Sequence, residues 1–322
     1  MFRRKPVPKN TRYVEKDKSL SDLGYQVTDN YLLRKIEDIN AIYEFKQKPE
    51  LAYNEQFFQV LIARLIDWTA QHSKLKLIRI PQVTAESEPH TYFFATNGWD
   101  ETDKDIVLLA PSAATALFWS TMALKEKDMR VASVFGIIQY ITEELKVPVV
   151  VLCPALYYWD PETLAPTTLN SLQAYQTHMT SSHDIPGISS PETYMQVCLP
   201  YIFNKFKGNR VHSISAEFSS HYLLTYLDAH WEELKHKLGS LLIVSCITTN
   251  HEIHTPALAE HILTHGRNYV TSTKPVGTLL EDLCATYGIP SFSGGNYEEE
   301  IYEKLITFFQ LVYTQSTAVG MN

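Results

Sequence analysis

The chain has 322 residues, of which 45% are hydrophobic, 20% charged and 12% aromatic; this is enough apolar material for a core that needs no disulfides, and too much for wholesale disorder. Its 36 acidic residues outnumber 28 basic ones, and a net charge of −8 argues against a broad electrostatic surface for nucleic-acid backbones. Four widely spaced cysteines and no apolar run approaching the ~20 residues of a membrane span exclude a metal knuckle and point to reduced thiols, without secretion or membrane insertion.

The first 20 residues form a basic arm: Arg3, Arg4, Lys5, Lys9, Arg12, Lys16 and Lys18 meet only Glu15 and Asp17, a local charge of +5 that leaves −13 on the rest. A solvated terminus or a localisation or RNA-touching tail both fit such an arm. Residues 21–316 read as a single α/β domain. A small hairpin is expected where Gly24-Tyr25-Gln26-Val27 and Tyr31-Leu32-Leu33 flank Thr28-Asp29-Asn30. From Glu55 to Trp68, Phe57, Leu61, Leu65 and Trp68 recur at helical spacing beside Phe58, Ile62 and Ile66, predicting a helix buried on a wide face.

Short apolar runs then follow at Leu75 to Ile80, Thr91 to Thr96, Asp105 to Ala110, Pro148 to Cys153, Arg210 to Ile214, Leu241 to Thr248, Asn268 to Ser272 and Ile289 to Phe292. Several lack alternation, as strands covered on both faces do in a mostly parallel sheet. Helical patterns separate them at Val131 to Leu145, Pro191 to Phe206, Ser215 to Leu238, Leu279 to Tyr287 and Tyr297 to Val312, giving an α/β order with helices on both faces of the sheet. The stretch at about 157–192 carries Pro161, Pro166, Pro186 and Pro191 with no sustained period, and reads as a long inserted loop suited to a lid, a partner surface or a plain insertion.

The chemistry centres on Arg210-Val211-His212-Ser213-Ile214-Ser215, where a strand runs toward a helix and Ser213 stands where a hydrolase would place its nucleophile. Such an elbow needs small residues two before and two after the nucleophile; here they are Val211 and Ser215, so one position is bulky. A working serine also needs a histidine and an acid, usually in the order serine, acid, histidine. The last histidine is His265, ahead of the loops that would supply both partners, and Ser293-Gly294-Gly295-Asn296 contains none. His251, in Asn250-His251-Glu252-Ile253-His254, is a weak substitute base. His251 and His254 have helical metal-ligand spacing but no third ligand, and Pro256 interrupts the pattern. His212 and His221 read as structural neighbours of the turn. With no glycine-rich phosphate loop, no nucleotide cofactor and no metal are expected.

Taken together, Leu23-Gly24-Tyr25, Glu88-Pro89 before Tyr92-Phe93-Phe94, Asp105-Ile106-Val107-Leu108-Leu109, His212-Ser213, Asn268-Tyr269-Val270 with Ser272 and Pro275, and Phe308-Phe309 resemble the α/β-hydrolase-like domain of the fungal argonaute-binding proteins, second subunit of the Argonaute siRNA chaperone complex. Related domains occur at the C-terminus of some class II histone deacetylases and in animal cotranscriptional regulators. Hydrolase-like animal members carry His-Gly-Ser-Gly, His-Ser-Tyr-Gly-Gly, Pro-Leu-Asp and a late histidine. The corresponding stretches here are Ala110-Pro111-Ser112-Ala113, His212-Ser213-Ile214-Ser215-Ala216, Pro275-Val276-Gly277 and Gly294. Pro111 also lacks the backbone N–H that an oxyanion hole would use.

The resemblance therefore implies an α/β-hydrolase-like fold with a degenerate elbow, no catalytic residues (Ser213 a remnant), and no cofactor. Its implied partners are Argonaute and a companion chaperone subunit, with siRNA contacted indirectly, in nucleus and cytoplasm. Two other readings stand beside it: a serine esterase or acyl hydrolase using Ser213, and a chromatin adaptor binding histones or a histone deacetylase.

Overall fold

The computed structural model describes residues 19–44, 51–82, 85–175 and 180–319; most of the basic arm lies outside them. The expected hairpin is present as β1 (Tyr25–Val27) and β2 (Leu33–Lys35), paired antiparallel. Helix α1 (Leu51–Ser73) extends the expected helix by a turn at each end, and Phe57, Leu61 and Leu65 are fully buried along it.

Eight strands form one sheet: β3 (Leu75–Ile80), β4 (Thr91–Thr96), β5 (Ile106–Ala110), β6 (Val149–Val151), β9 (Val211–Ala216), β10 (Leu238–Val244), β11 (Gly266–Thr271) and β12 (Ser291–Gly295). Their spatial order is β12-β11-β10-β9-β5-β6-β4-β3. The six from β12 to β6 are parallel, and β4 pairs antiparallel with both β6 and β3. Every residue of β5, β6, β9 and β10 is buried, which is why their sequences run apolar or small without alternation. Edge strand β3 instead exposes its middle.

Parallel neighbours need crossover connections, and helices supply them on both faces of the sheet. Helix α2 (Pro191–Lys205) enters β9, α3 (Glu217–Ala229) leaves it, α4 (Pro256–His265) joins β10 to β11, and α5 (Glu281–Tyr287) joins β11 to β12. Helices α6 (Glu298–Glu303) and α7 (Leu305–Val319) close the chain; the single helix expected over Tyr297 to Val312 is broken at Lys304. Pro256, which reads in sequence as an interruption, is the first-turn proline of α4, a position where a missing N–H costs nothing.

The insertion is more ordered than its composition suggests. It contains a two-stranded ribbon, β7 (Tyr158–Asp160) with β8 (Ala165–Thr167), and a short helix at Leu169–Tyr175. Trp159 and Ile185 are buried, and Trp159 lies against His90 with ring centroids 5.0 Å apart. Hydrophobic anchors at irregular spacing hold it, so no period betrays it.

Candidate functional site at the carboxyl edge of the sheet

In an open parallel sheet the loops at the carboxyl ends of the strands converge on a common crevice. The sharpest of these turns follows β9. The strand runs to Ala216, Glu217 adopts φ +47°, and α3 starts immediately. A left-handed backbone is rare for a residue with a long side chain, and holding one there costs on the order of 1–3 kcal/mol. The turn is spelled Ser215-Ala216-Glu217-Phe218-Ser219. Both residues flanking Glu217 at two positions' distance are fully buried serines, small enough for strand and helix backbones to approach. Ser219 Oγ donates to the Pro111 carbonyl at 2.5 Å, tying α3 to the loop after β5.

Ser213 is therefore not at the turn. It lies in the middle of β9, opposite Leu108 of β5 and Leu241 of β10, with 2% exposure and no hydrogen-bond partner for its hydroxyl. Pattern alone ends the strand at Ile214, two residues early, because Ser215 and Ala216 have low strand propensity; burial between two parallel neighbours overrides propensity here.

Chain topology brings a second carboxyl to this edge. Strand β12 ends on Gly295 at φ +133°, where a Cβ would come within 2.7 Å of Glu300 Cβ, and the short loop beyond it delivers Glu298 at the start of α6. Burial raises the carboxyl of Glu217 above its ordinary range. Burial also raises that of Glu298, the negative charge of Glu217 adds to the effect, and the neighbouring hydroxyls of Ser120 and Tyr302 partly offset it. Tyr302, 4% exposed, is pushed well up by burial, by the charges of Glu298 and Glu217, and by the hydrogen bond of its hydroxyl toward Glu298. Behind it, a cavity of about 370 Å3 lined by Trp119, Arg130, Ile137, Tyr140, Tyr302 and Leu305 separates the segment after β5 from α6 and α7.

No histidine joins this pair among the described residues. His251 sits in a one-turn 3-10 helix, Asn250–Glu252, whose capping partners are Thr249 and Glu252. It makes no link to Ser213, whose hydroxyl is unpartnered. His254 is held through its backbone N–H, which donates to Asp228 at 3.0 Å, and His221 Nδ1 lies 3.1 Å from Thr248 Oγ1. No cluster of three or more potential metal ligands occurs among the described residues.

A serine–histidine–aspartate chain does exist, at the opposite end of the sheet. His212 Nδ1 lies 2.6 Å from Ser240 Oγ and 3.0 Å from the Ser240 backbone N–H, and its Nε2 lies 3.2 Å from Asp105 Oδ2. Because the Ser240 N–H donates to Nδ1, that nitrogen carries no proton and Nε2–H donates to Asp105. The hydrogen bond from His212, opposed by partial burial and aided by Arg210, holds the Asp105 carboxyl below its usual range. Ser240 is fully buried and His212 is 1% exposed, so no substrate reaches either. Their work is to tie β9, β10 and the start of β5 together, and Gly239 makes room for it: a Cβ there would stand 2.6 Å from His212 Nδ1.

Sequence pattern singles out β9 and the region of the turn but not Glu217, Glu298 or Tyr302. One signal was available: the pattern small-x-Glu-x-small at Ser215 to Ser219 satisfies the elbow's steric rule, whereas Val211 does not.

The sheet order, with an antiparallel second strand and an elbow after the fifth, is that of an α/β-hydrolase-like fold. Among solved structures the chain is similar to a histone deacetylase from Saccharomyces cerevisiae, with a TM-score of 0.50 and 9% identity over 85% of this chain and 100% of that one. It is also similar to the histone deacetylase Clr3, at TM-score 0.49 and 8% identity over 84% of this chain and 41% of the other. A third similarity is to vibralactone cyclase, at 0.45 and 9% over 91% and 98%. No curated protein matches the sequence. The Arb2 domain matches residues 16–276, most of the chain, and the chain therefore belongs to the Arb2 domain family.

Proposed function

We infer that this chain is a non-catalytic subunit of an Argonaute siRNA chaperone complex, which binds Argonaute together with a companion subunit and serves small-RNA loading, RNA interference and heterochromatin assembly in nucleus and cytoplasm. The observation that carries the non-catalytic half is the elbow itself: it presents Glu217 with no histidine beside it, while Ser213 is sealed inside β9. Acyl transfer by serine needs a nucleophile at the turn and a base to deprotonate it; this edge provides neither. Membership of the Arb2 domain family supports the Argonaute half, since fold alone does not license a function. No described helix is long and apolar enough to cross a membrane.

The test is affinity purification of the tagged protein from its own cells, with mass spectrometry of co-purifying proteins and sequencing of small RNA. Recovery of Argonaute with a stable companion and duplex small RNA is the expected result; its absence refutes the assignment. A fluorophosphonate probe tests the esterase alternative and is expected to leave the protein unlabelled. A chromatin adaptor is the second reading. Its support is the charge of −13 carried outside the basic arm, which suits basic histone tails. Recovery of histones or a deacetylase without Argonaute would favour it.

A further inference from the structure

We propose that the cavity behind Tyr302, between the segment after β5 and helices α6 and α7, is a docking site for a segment of a protein partner that carries a bulky apolar side chain beside a basic residue. The inference rests on the binding-subunit reading above and gives that subunit a contact surface.

The cavity, about 370 Å3, has Trp119, Ile137, Leu305 and Ile306 in its wall, and its size falls within the roughly 300–1,000 Å3 of ligand sites. One side of it is a π-helical turn, Tyr140–Glu144, that continues the helix Phe135–Gln139, and Tyr140, Glu143 and Glu144 all line the space. Such turns are rare and gather at functional sites. Four carboxylates, Asp128, Glu143, Glu144 and Glu303, line it against one guanidinium, that of Arg130. Two of them are already matched: Asp128 accepts from Arg130 at 2.7 Å, and Glu303 from Lys127 at 2.8 Å. Glu143 and Glu144 are exposed, and no ion pair joins either to a cation among the described residues.

A second observation is independent of the acids. Trp119 is 2% exposed, and its indole Nε1–H has no hydrogen-bond acceptor. An indole nitrogen can only donate, and a buried donor without a partner is unfavourable. The wall therefore holds a donor for an oxygen that the described residues do not supply.

These features select the occupant. It must bring apolar bulk for the wall, an acceptor oxygen for Trp119 and a cation for Glu143 and Glu144. A peptide segment does all three, through an anchoring side chain, a backbone carbonyl and a neighbouring lysine or arginine. A free polyamine satisfies the carboxylates alone, because an ammonium accepts no hydrogen bond. Anions are disfavoured, since Arg130 is engaged by Asp128 and by the Tyr31 ring, whose centroid lies 4.8 Å from its guanidinium carbon. The charge of −13 outside the basic arm draws a basic segment in.

The experiment is selection of random phage-displayed heptapeptides on the full-length protein, followed by fluorescence-anisotropy titration of the most enriched peptide. Enriched sequences are expected to place a leucine, isoleucine, methionine or phenylalanine beside a lysine or arginine, and binding is expected to weaken as salt rises. The Glu143→Gln/Glu144→Gln protein is expected to bind the peptide roughly five- to tenfold more weakly, and Trp119→Phe, which keeps a ring and removes the N–H, several-fold more weakly. Glu260→Gln on α4 should bind as the parent does. Glu143 and Glu144 are exposed, so their variant reports binding without risk to folding. No enriched consensus, an acidic consensus, undiminished binding by the Glu143→Gln/Glu144→Gln protein, or equal displacement of the peptide by spermidine and by unlabelled peptide would each overturn the proposal. The readout is separate from Argonaute capture: a consensus without Argonaute recovery overturns only the chaperone assignment, and Argonaute recovery without a consensus overturns only the docking site.

Discussion

Glu298→Gln is the substitution most informative about the carboxyl edge, and it should stabilise the folded protein. In the native chain Glu298 is half-buried against Glu217 and titrates above its ordinary range, chiefly through burial and secondarily through that like charge. A carboxyl whose folded-state pKa is raised binds its proton more tightly folded than unfolded. It therefore contributes nothing unfavourable at pH below the unfolded value, and destabilises progressively as pH rises from there through the folded value. The penalty grows with pH and is larger at pH 8 than at pH 4. Like charges at a half-buried site, discounted for solvent screening, are worth on the order of 1 kcal/mol. In a chain of this size that corresponds to a rise in Tm of roughly 2 °C. Thermal unfolding at pH 8 and at pH 4, on the parent and on Glu217→Gln, Glu298→Gln and the double variant, reads it directly. Each single variant should gain at pH 8 and approach the parent at pH 4, and the double variant should gain less than the sum, because removing either charge already relieves the other. A loss of stability at pH 8, or a gain that does not depend on pH, would refute the reasoning.

Three further substitutions probe other parts of the molecule. Gly239→Ala places a methyl 2.6 Å from His212 Nδ1, and in a fully packed sheet should lower stability by about 2 kcal/mol in urea unfolding; unchanged stability would mean that the histidine moves freely. Asp105→Asn removes the carboxylate that His212 holds below its usual range. A depressed acid stabilises above its unfolded pKa and loses that contribution as pH falls through its folded one, so the variant should be less stable at neutral pH by about 1 kcal/mol, with the difference fading in acid; a constant difference down to pH 2 would contradict this. Ser213→Ala deletes a buried hydroxyl without a partner, and should be neutral or stabilising by a few tenths of a kcal/mol, with parent and variant both unlabelled by a fluorophosphonate; labelling of the parent that the variant loses would restore Ser213 as a nucleophile.

Much of the architecture is legible in the amino-acid order. Apolar runs such as Ile106 to Ala110 and Val149 to Val151 have one use in a chain of this type, as strands covered on both faces, and their alternation with helical patterns implies a parallel sheet. Family resemblance reached the fold along the same residues. The strand ends were less legible: β9 continues through Ser215 and Ala216, which pattern alone assigns to a turn, because enclosure between β5 and β10 supplies what propensity lacks. With the strand ended two residues early, the turn is sought near Ser213 and not at Glu217, four positions later.

The rest belonged to tertiary structure. Glu298 is 81 positions from Glu217, and only the crossing order of β9 to β12 brings the two carboxyls to one edge. His212, Ser240 and Asp105 form a triad-like chain that composition would place near catalysis, yet the sheet puts it at the far end and buries it. Local sequence determines which residues prefer strand, helix or turn, since those preferences arise from neighbours within a few positions. Which distant side chains share a site depends on strand order and register, and these are decided by burial of the whole sheet at once.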